Sequence, residues 1–95
     1  MPIPSGGEMI HVGFGNFVAI DRVLAIVLSN AAPIQRLIRE GKRHGKIIDC
    51  TSGRRTKAAV FMDSGEILLV AITAESLAGR VAAMRSGRIV SAQAD

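Results

Sequence analysis

Two apolar runs joined by a short polar loop constrain the fold of this chain more than any other feature. Lys57–Met62 reads KAAVFM, Asp63–Gly65 supplies the loop DSG, and Glu66–Ile72 reads EILLVAI. Short aliphatic runs on either side of a glycine-containing loop predict a β-hairpin. Consecutive positions in both runs are apolar, so both faces of this hairpin require cover from other elements.

The chain is short and has few other residues with which to cover the hairpin. Its 95 residues form one domain, and a domain of this size buries roughly 60–65% of its unfolded surface. Hydrophobic residues nevertheless make up 48% of the sequence, with 3% aromatic. Some aliphatic surface must therefore remain outside the core. We expect an uncovered sheet face or edge to form a subunit interface in a homo-oligomer.

Turn residues divide the rest of the chain into short elements. MIHV predicts a short strand that ends at GFGN (Gly13–Asn16), where a glycine supplies a positive φ angle and Asn16 closes the turn, and FVAI follows this turn. VLAIVLS favours a buried strand, although a helix is also compatible with it. KIIDCT predicts a further strand. The fold class is therefore α+β, a small single domain with about five strands and two helices.

Two segments have helical spacing. NAAPIQRLIREGKRHG places Pro33 in a first turn, and Gly41 or Gly45 ends the helix. Its apolar positions recur at i, i+3 and i+4: Ile34, Leu37 and Ile38. The second helix begins near Ala74 and is capped by Thr73. Its apolar stripe follows the same spacing: Leu77, Val81 and Met84.

The termini and the single cysteine bear on the cellular compartment of the protein. Residues 1–8 are rich in Pro and Gly and predict a flexible leader, 9–87 form the domain, and 88–95 form a tail. The leader lacks the cationic and apolar regions of a secretory signal, and no run reaches the roughly 18–20 apolar residues that span a bilayer. Cys50 has no disulfide partner and reads as a small buried hydrophobe. We expect a cytoplasmic protein that does not bind a membrane.

No arrangement of residues predicts catalysis, a metal site or a cofactor. GFGN lacks the third glycine of a dinucleotide fingerprint, and GRRT lacks the spacing of a phosphate-binding P-loop. His11 and His44 each lack a second ligand at metal spacing. The carboxylates suit local hydrogen bonds or helix dipoles: Asp49, Asp63, Glu66 and Glu75. We therefore expect the protein not to be an enzyme and to need no cofactor.

The charge balance favours an anionic partner. Twelve Lys and Arg against eight Asp and Glu give a net charge of +4, and the pI is about 10.2. The stretch DCTSGRRTKAA places Arg54 and Arg55 directly after Gly53. The planar guanidinium group grips phosphate with two hydrogen bonds. If both arginines lie in a strand, they point to opposite faces. The alternative is a solvated turn that pairs with Asp21 or Asp49.

Three further cations extend this candidate site. Arg22 follows Asp21 at another turn, and it joins Lys57 on one rim if their strands are neighbours. Lys57 and Arg36 are secondary candidates for phosphate contact. Few aromatic residues are available to stack on unpaired bases, which favours double-stranded DNA over single strands or RNA.

These motifs, taken together, resemble a known family. GFGN, DR, AP-QR, D-T-GRRT and MDS are similar to the RemA family of bacterial extracellular-matrix gene regulators, from about Met9 to Arg80. The resemblance implies a sequence-tolerant double-stranded DNA-binding regulator of matrix and biofilm genes. It also implies a subunit related to the LytTR-type DNA-binding fold and a closed ring, a heptamer or an octamer, with DNA wrapped around its basic outer surface.

The same resemblance assigns the phosphate contacts. The family's functional arginines correspond to Arg22, Arg54 and Arg55. This chain has Asp21 where the family usually has Asn, and an acid there either holds Arg22 in place or competes with phosphate. Two other functions stay open: an oligomeric scaffold whose arginines join subunits without any nucleic acid, and an RNA-binding protein.

Overall fold

The computed structural model describes residues 8–86, which form two helices and six strands in two sheets. In chain order the elements are β1 (Met9–Gly13), β2 (Asn16–Ala19), a 3₁₀ turn (Ile20–Arg22), β3 (Val23–Leu28), α1 (Ala32–Arg43), β4 (Ile47–Asp49), β5 (Ala58–Met62), β6 (Ile67–Val70) and α2 (Ala74–Ser86). β1 and β2 form a separate hairpin, and the main sheet has the order β3-β5-β6-β4. β4 runs parallel to β6, whereas the other pairs are antiparallel.

The predicted KAAVFM–EILLVAI hairpin is confirmed and lies at the centre of the main sheet. β5 and β6 pair from Ala58 opposite Val70 to Phe61 opposite Ile67. The loop between them turns at Gly65, which has a φ of +92°. Because β5 and β6 have neighbours on both edges and layers on both faces, both sets of their side chains are apolar.

Each face of the main sheet has its own core. α1 covers one face, and α2 with the β1–β2 hairpin covers the other. The buried side chains on the α1 face are Ile38, Ala59, Ile67 and Leu69. Those on the α2 face are Ile10, Val12, Val18, Ile20, Cys50, Ala58, Val60, Leu68, Val70 and Leu77.

The strand count differs from the prediction of about five. GFGN turns the chain back on itself, with Gly13 at a φ of +107° and Gly15 at +78°. Both glycines thus adopt the left-handed conformation expected of one of them, and the Asn16 side chain donates to the Gly13 carbonyl at 2.9 Å. MIHV and FVAI therefore become two strands of an extra sheet. VLAIVLS, compatible with strand or helix, forms β3.

Both helices match their predicted spacing. α1 contains Pro33 in its first turn and ends between the two glycines proposed as its stop. Thr73 caps α2, since its Oγ1 accepts a hydrogen bond from the Ser76 N–H at 3.1 Å. Leu77 is buried against the sheet, and Val81 and Met84 pack beside it.

The expected leader and tail fall mostly on residues outside 8–86. Glu8 is described, and its carbonyl accepts a hydrogen bond from the Ile20 N–H at 3.1 Å. Among the described residues, neither helix has the length and apolarity needed to cross a membrane.

Gly41 packs closely against side chains of the sheet beneath α1. A Cβ atom at Gly41 would lie 2.9 Å from Ile47 Cδ1 and 3.3 Å from Ile67 Cδ1, whereas one at Gly79 in α2 would meet nothing within 4 Å. We expect Gly41→Val to lower the free energy of unfolding by about 1–3 kcal/mol relative to Gly79→Val, because only the first overpacks a core. Urea unfolding of both variants measures this difference. Equal unfolding midpoints would contradict the close packing at Gly41.

Candidate nucleic-acid interface

The turn after β4 is held by its own hydrogen bonds. Asp49 Oδ1 accepts from the Thr51 N–H at 2.9 Å and from Thr51 Oγ1 at 2.6 Å. Ser52 and Gly53 then both adopt the left-handed conformation, with φ of 53° and 81°, and the Arg54 N–H donates to the Thr51 carbonyl at 2.9 Å. Asp49 therefore makes the local hydrogen bonds expected of it, and the turn presents the next residues in a defined geometry.

Arg54 lies over an aromatic ring from a distant turn. Its guanidinium carbon lies 5.3 Å from the centre of the Phe14 ring, a distance typical of a cation–π contact. Phe14 belongs to the GFGN turn and has a φ of 53°. Sequence reasoning missed this contact, although an aromatic residue in a glycine turn of a chain with only three phenylalanines was a usable signal.

Arg55 lies next to Arg54 in the same exposed turn. Residues 51–57 form turn and loop, and β5 begins only at Ala58. The alternation of a strand therefore does not apply to the two arginines, so the argument that they point to opposite faces loses its basis. Within residues 8–86, no carboxylate lies at ion-pair distance from either Arg54 or Arg55.

Lys57 lies where this turn joins the sheet, at the end that we call the Lys57 end. Its N–H donates to the Val70 carbonyl at 2.8 Å, and its carbonyl accepts from the Ser29 N–H at 3.4 Å. The first turn of α1 is attached to the same end, because the Gln35 side chain donates to the Ser29 carbonyl. Arg36 follows Gln35 and is exposed. The Lys57 end therefore carries Arg54, Arg55 and Lys57, with Arg36 one helical turn into α1.

Arg22 lies at the opposite end of the sheet, which we call the Asp63 end. β3 and β5 are neighbours, as the convergence of these cations on one rim requires, but they are antiparallel. Val23 therefore pairs with Met62, whereas Leu28 pairs with Ala58 beside Lys57. Six strand residues separate the two ends by about 20 Å. The expectation that Arg22 and Lys57 share one rim within a subunit is thus wrong.

The acidic partner of Arg22 is Asp63. Arg22 Nη1 lies 3.3 Å from Asp63 Oδ2, and the Asp63 N–H donates to the Arg22 carbonyl at 2.9 Å. Pairing of the arginines with Asp21 or Asp49 is not observed among the described residues. The two side chains remain 65% and 38% exposed, so solvent screens the pair and a phosphate can compete for Arg22.

Cys50 and His11 have structural roles, in packing and in hydrogen bonding respectively. Cys50 is buried, as expected, and burial, reinforced by the Asp49 carboxylate, raises the pKa of its thiol. A protonated thiol is a poor nucleophile and a poor metal ligand. His11 Nε2 accepts a hydrogen bond from the Gly15 N–H at 3.2 Å. Within residues 8–86, no cluster of His, Cys, Asp and Glu is arranged to hold a metal ion.

Comparison with known proteins identifies the family. The model of the RemA-like family, described as extracellular matrix regulatory protein A-like, matches residues 9–81. The chain belongs to the RemA-like family. The match includes both the GFGN turn that carries Phe14 and the turn that carries Arg54 and Arg55, so the whole candidate interface lies inside it.

Relatives of this RemA-like chain are regulatory proteins by name. A "Putative regulatory protein" from Dehalococcoides mccartyi is 46% identical over 82 residues, which cover 86% of this chain and 85% of the relative. A relative from Synechococcus elongatus is 48% identical over 73 residues, covering 77% of this chain and 84% of the relative. One from Desulfatibacillum aliphaticivorans is 48% identical over 77 residues, covering 81% and 86%. The family assigns a regulatory role.

The Asp49–Thr51 hydrogen bonds predict a pH-dependent stability. They hold the pKa of Asp49 below its ordinary value, with the Thr51 hydroxyl contributing most, then its N–H, and the charge of Lys42 adding to them. A depressed folded-state pKa stabilises the fold above the unfolded pKa of roughly 4, and this stabilisation is lost as pH falls through the folded-state value.

We expect Asp49→Ala to lower the free energy of unfolding by about 1 kcal/mol at neutral pH, a value reduced by solvent exposure. The difference from the wild type should shrink as the pH falls below about 4. Asp49→Asn is the control, because it keeps an acceptor without a charge and should remove the pH dependence. Urea unfolding between acidic and neutral pH measures both, and a difference that grows on acidification would contradict the assignment.

Proposed function

We propose that this RemA-like protein regulates transcription by binding the phosphate backbone of double-stranded DNA as a homo-oligomeric ring. The observation that carries the proposal is the exposed Arg54–Arg55 pair on a hydrogen-bonded turn, with no carboxylate at ion-pair distance among the described residues. Exposed arginines without an acidic partner are suited to two-point contact with phosphate oxygens.

A ring would repeat the phosphate-binding turn of each subunit, and this repetition compensates for weak binding by one subunit. One subunit offers only a few phosphate contacts, which bind weakly at physiological salt. Copies of the same turn on one assembly raise the effective concentration of each further contact along a continuous duplex. Because such contacts read the backbone, the preferred sites follow from DNA shape and flexibility more than from base edges.

The distribution of exposed apolar surface also favours an oligomer. Phe17 on the outer face of the β1–β2 hairpin is 56% exposed, and Leu24 at the bulge of edge strand β3 is 71% exposed. An apolar groove of about 440 Å³ lies between β3 and α2, lined in part by Leu24 and Val81. The hairpin face and the groove are different surfaces, and heterologous contacts between unlike surfaces produce closed rings when the rotation closes.

The exposed aromatic rings do not form a platform for unpaired bases. Phe14 is covered on one side by Arg54, and Phe17 lies against His11 with ring centres 4.9 Å apart. Single-stranded nucleic acid binding depends on free rings on which successive bases stack. Duplex DNA, bound through phosphates, therefore suits this surface better than RNA or single-stranded DNA.

We expect Arg54→Ala and Arg55→Ala each to abolish retention of duplex DNA in a gel shift at physiological salt. Arg22→Ala should weaken retention less, because Asp63 already pairs with Arg22. Each lost phosphate contact should also lower the slope of log K against log salt by about 0.9 per subunit engaged. Arg80→Ala removes the same charge from α2 and is the control for net charge. Because Arg80 Nη1 also donates to the His11 carbonyl at 2.7 Å, urea unfolding checks that this variant keeps the fold.

Light scattering of the same variants separates this function from a scaffold. An oligomer that survives Arg54→Ala while DNA binding is lost supports the proposal, whereas dissociation into smaller species supports arginines that join subunits. Competition with structured RNA completes the test, since a preference for RNA over duplex DNA would overturn the choice of partner. Normal DNA binding by either arginine variant at physiological salt would overturn the site.

The Phe14–Arg54 contact generates a separate prediction. A cation–π contact at an exposed site contributes about 0.5–1 kcal/mol, so Phe14→Leu should raise the Kd for duplex DNA by about 2–5-fold through a less ordered Arg54. Phe17→Leu removes from the same hairpin a ring that does not contact Arg54 and is the control, and light scattering checks that it keeps the oligomer. Fluorescence anisotropy measures both, and an unchanged Kd for Phe14→Leu would show that the ring does not position Arg54 for binding.

A further inference from the structure

The outward face of α1 carries a stripe of arginines. Arg36, Arg39 and Arg43 follow one another at i, i+3 and i+7, so they share one side of the helix. Ile34 and Ile38 occupy the other side and pack against the sheet. We call these three residues the α1 arginine stripe.

The α1 arginine stripe runs between the two ends of the sheet. α1 begins at the Lys57 end, where Gln35 is bonded to Ser29. It finishes at the Asp63 end, where the Gly41 carbonyl accepts from the Lys46 N–H at 2.9 Å and the Lys46 carbonyl accepts from the Ile67 N–H at 2.9 Å. From Arg36 to Arg43 the helix rises about 10 Å. The stripe thus covers half of the roughly 20 Å that separates the two groups of candidate arginines.

Local electrostatics do not account for the stripe. Lys42 and Arg43 in the last turn complement the helix dipole, but Arg36 and Arg39 lie too far from that end to do so. Glu40 forms an ion pair with Arg43 and lies 3.8 Å from His44 Nδ1. Within residues 8–86, no carboxylate lies at ion-pair distance from Arg36, Arg39 or Lys42. A helix face with one acid among several cations is an unneutralised positive surface.

We propose that the α1 arginine stripe is a second phosphate-contacting surface, which continues the DNA backbone track from the Lys57 end towards the Asp63 end. This inference rests on the proposed function. A shallow groove of about 340 Å³ follows the stripe and is lined by Arg36, Arg39, Glu40, Lys42 and Arg43. All five lining residues are charged, and four of them are cations. A phosphate chain needs only a row of cations.

Arg39→Gln tests the stripe, because Arg39 lies at its middle and has no ion-pair partner among the described residues. We expect it to raise the Kd for duplex DNA by about 3-fold or more and to lower the salt slope by about 0.9 per subunit engaged. Arg80→Gln is the charge-matched control on α2, on the other face of the sheet, and should change both quantities less. Its glutamine keeps a donor near the His11 carbonyl, which Arg80 Nη1 contacts at 2.7 Å. Light scattering and urea unfolding confirm that both variants keep the assembly and the fold.

A second variant tests the same surface in the opposite direction. Glu40→Gln releases Arg43 from its ion pair and removes the only acid of α1. We expect it to lower the Kd for duplex DNA by about 2–5-fold at low salt. Glu75→Gln, in the first turn of α2, changes the net charge equally and is the control. A variant that binds more tightly cannot be dismissed as misfolded.

The outcomes separate this inference from the function on which it rests. If the wild type does not bind duplex DNA, the proposed function fails and this surface fails with it. A second outcome is that the wild type binds while each stripe variant has the same Kd for duplex DNA as its control, Arg39→Gln as Arg80→Gln and Glu40→Gln as Glu75→Gln. In that case the stripe does not contact DNA, and the Arg54–Arg55 site stands. If the stripe variants alter binding of polyglutamate but not of DNA, the surface serves an acidic protein and the inference is overturned.

Discussion

The rest of the molecule depends on the need to cover a central hairpin whose two faces are both apolar. Ala58, Ala59, Val60 and Val70 of β5 and β6 are almost completely buried. Since each face loses stability if left in water, α1 must lie on one side and α2 with the β1–β2 hairpin on the other. These layers also bring the GFGN turn close to the turn that precedes β5, which is why Phe14 and Arg54 meet.

The candidate interface lies in the turn between β4 and β5, which the covering layers leave exposed at Arg54 and Arg55. This turn is anchored by short-range hydrogen bonds between Asp49 and Thr51, and Thr51 is itself buried at the base of the turn. A turn anchored in this way can leave Arg54 and Arg55 in water. Edge strand β3 also lacks cover, which leaves Leu24 exposed. A chain of this length cannot cover every surface of the sheet, so both the turn that carries Arg54 and Arg55 and the apolar edge at Leu24 face solvent.

Strand direction determines how the cations are distributed. Antiparallel pairing of β3 with β5 sends Arg22 to one end of the sheet and Lys57 to the other. A single rim within one subunit is therefore excluded, and a continuous track needs either α1 or a neighbouring subunit. The cations also differ in availability. Arg22 shares one guanidinium nitrogen with Asp63, whereas Arg54 lies over a neutral ring.

The sequence by itself determined the local structure. Periodicity and turn residues located the hairpin, both helices, the Thr73 cap and the glycine turns, because each depends on residues close together in the chain. The family and the arginines of GRRT were also readable from short motifs. Only the tertiary structure decided that GFGN separates a sixth strand, that Asp63 pairs with Arg22, and that Phe14 lies beneath Arg54. These contacts join residues up to 41 positions apart, and strand order and direction, which local patterns do not encode, bring them together.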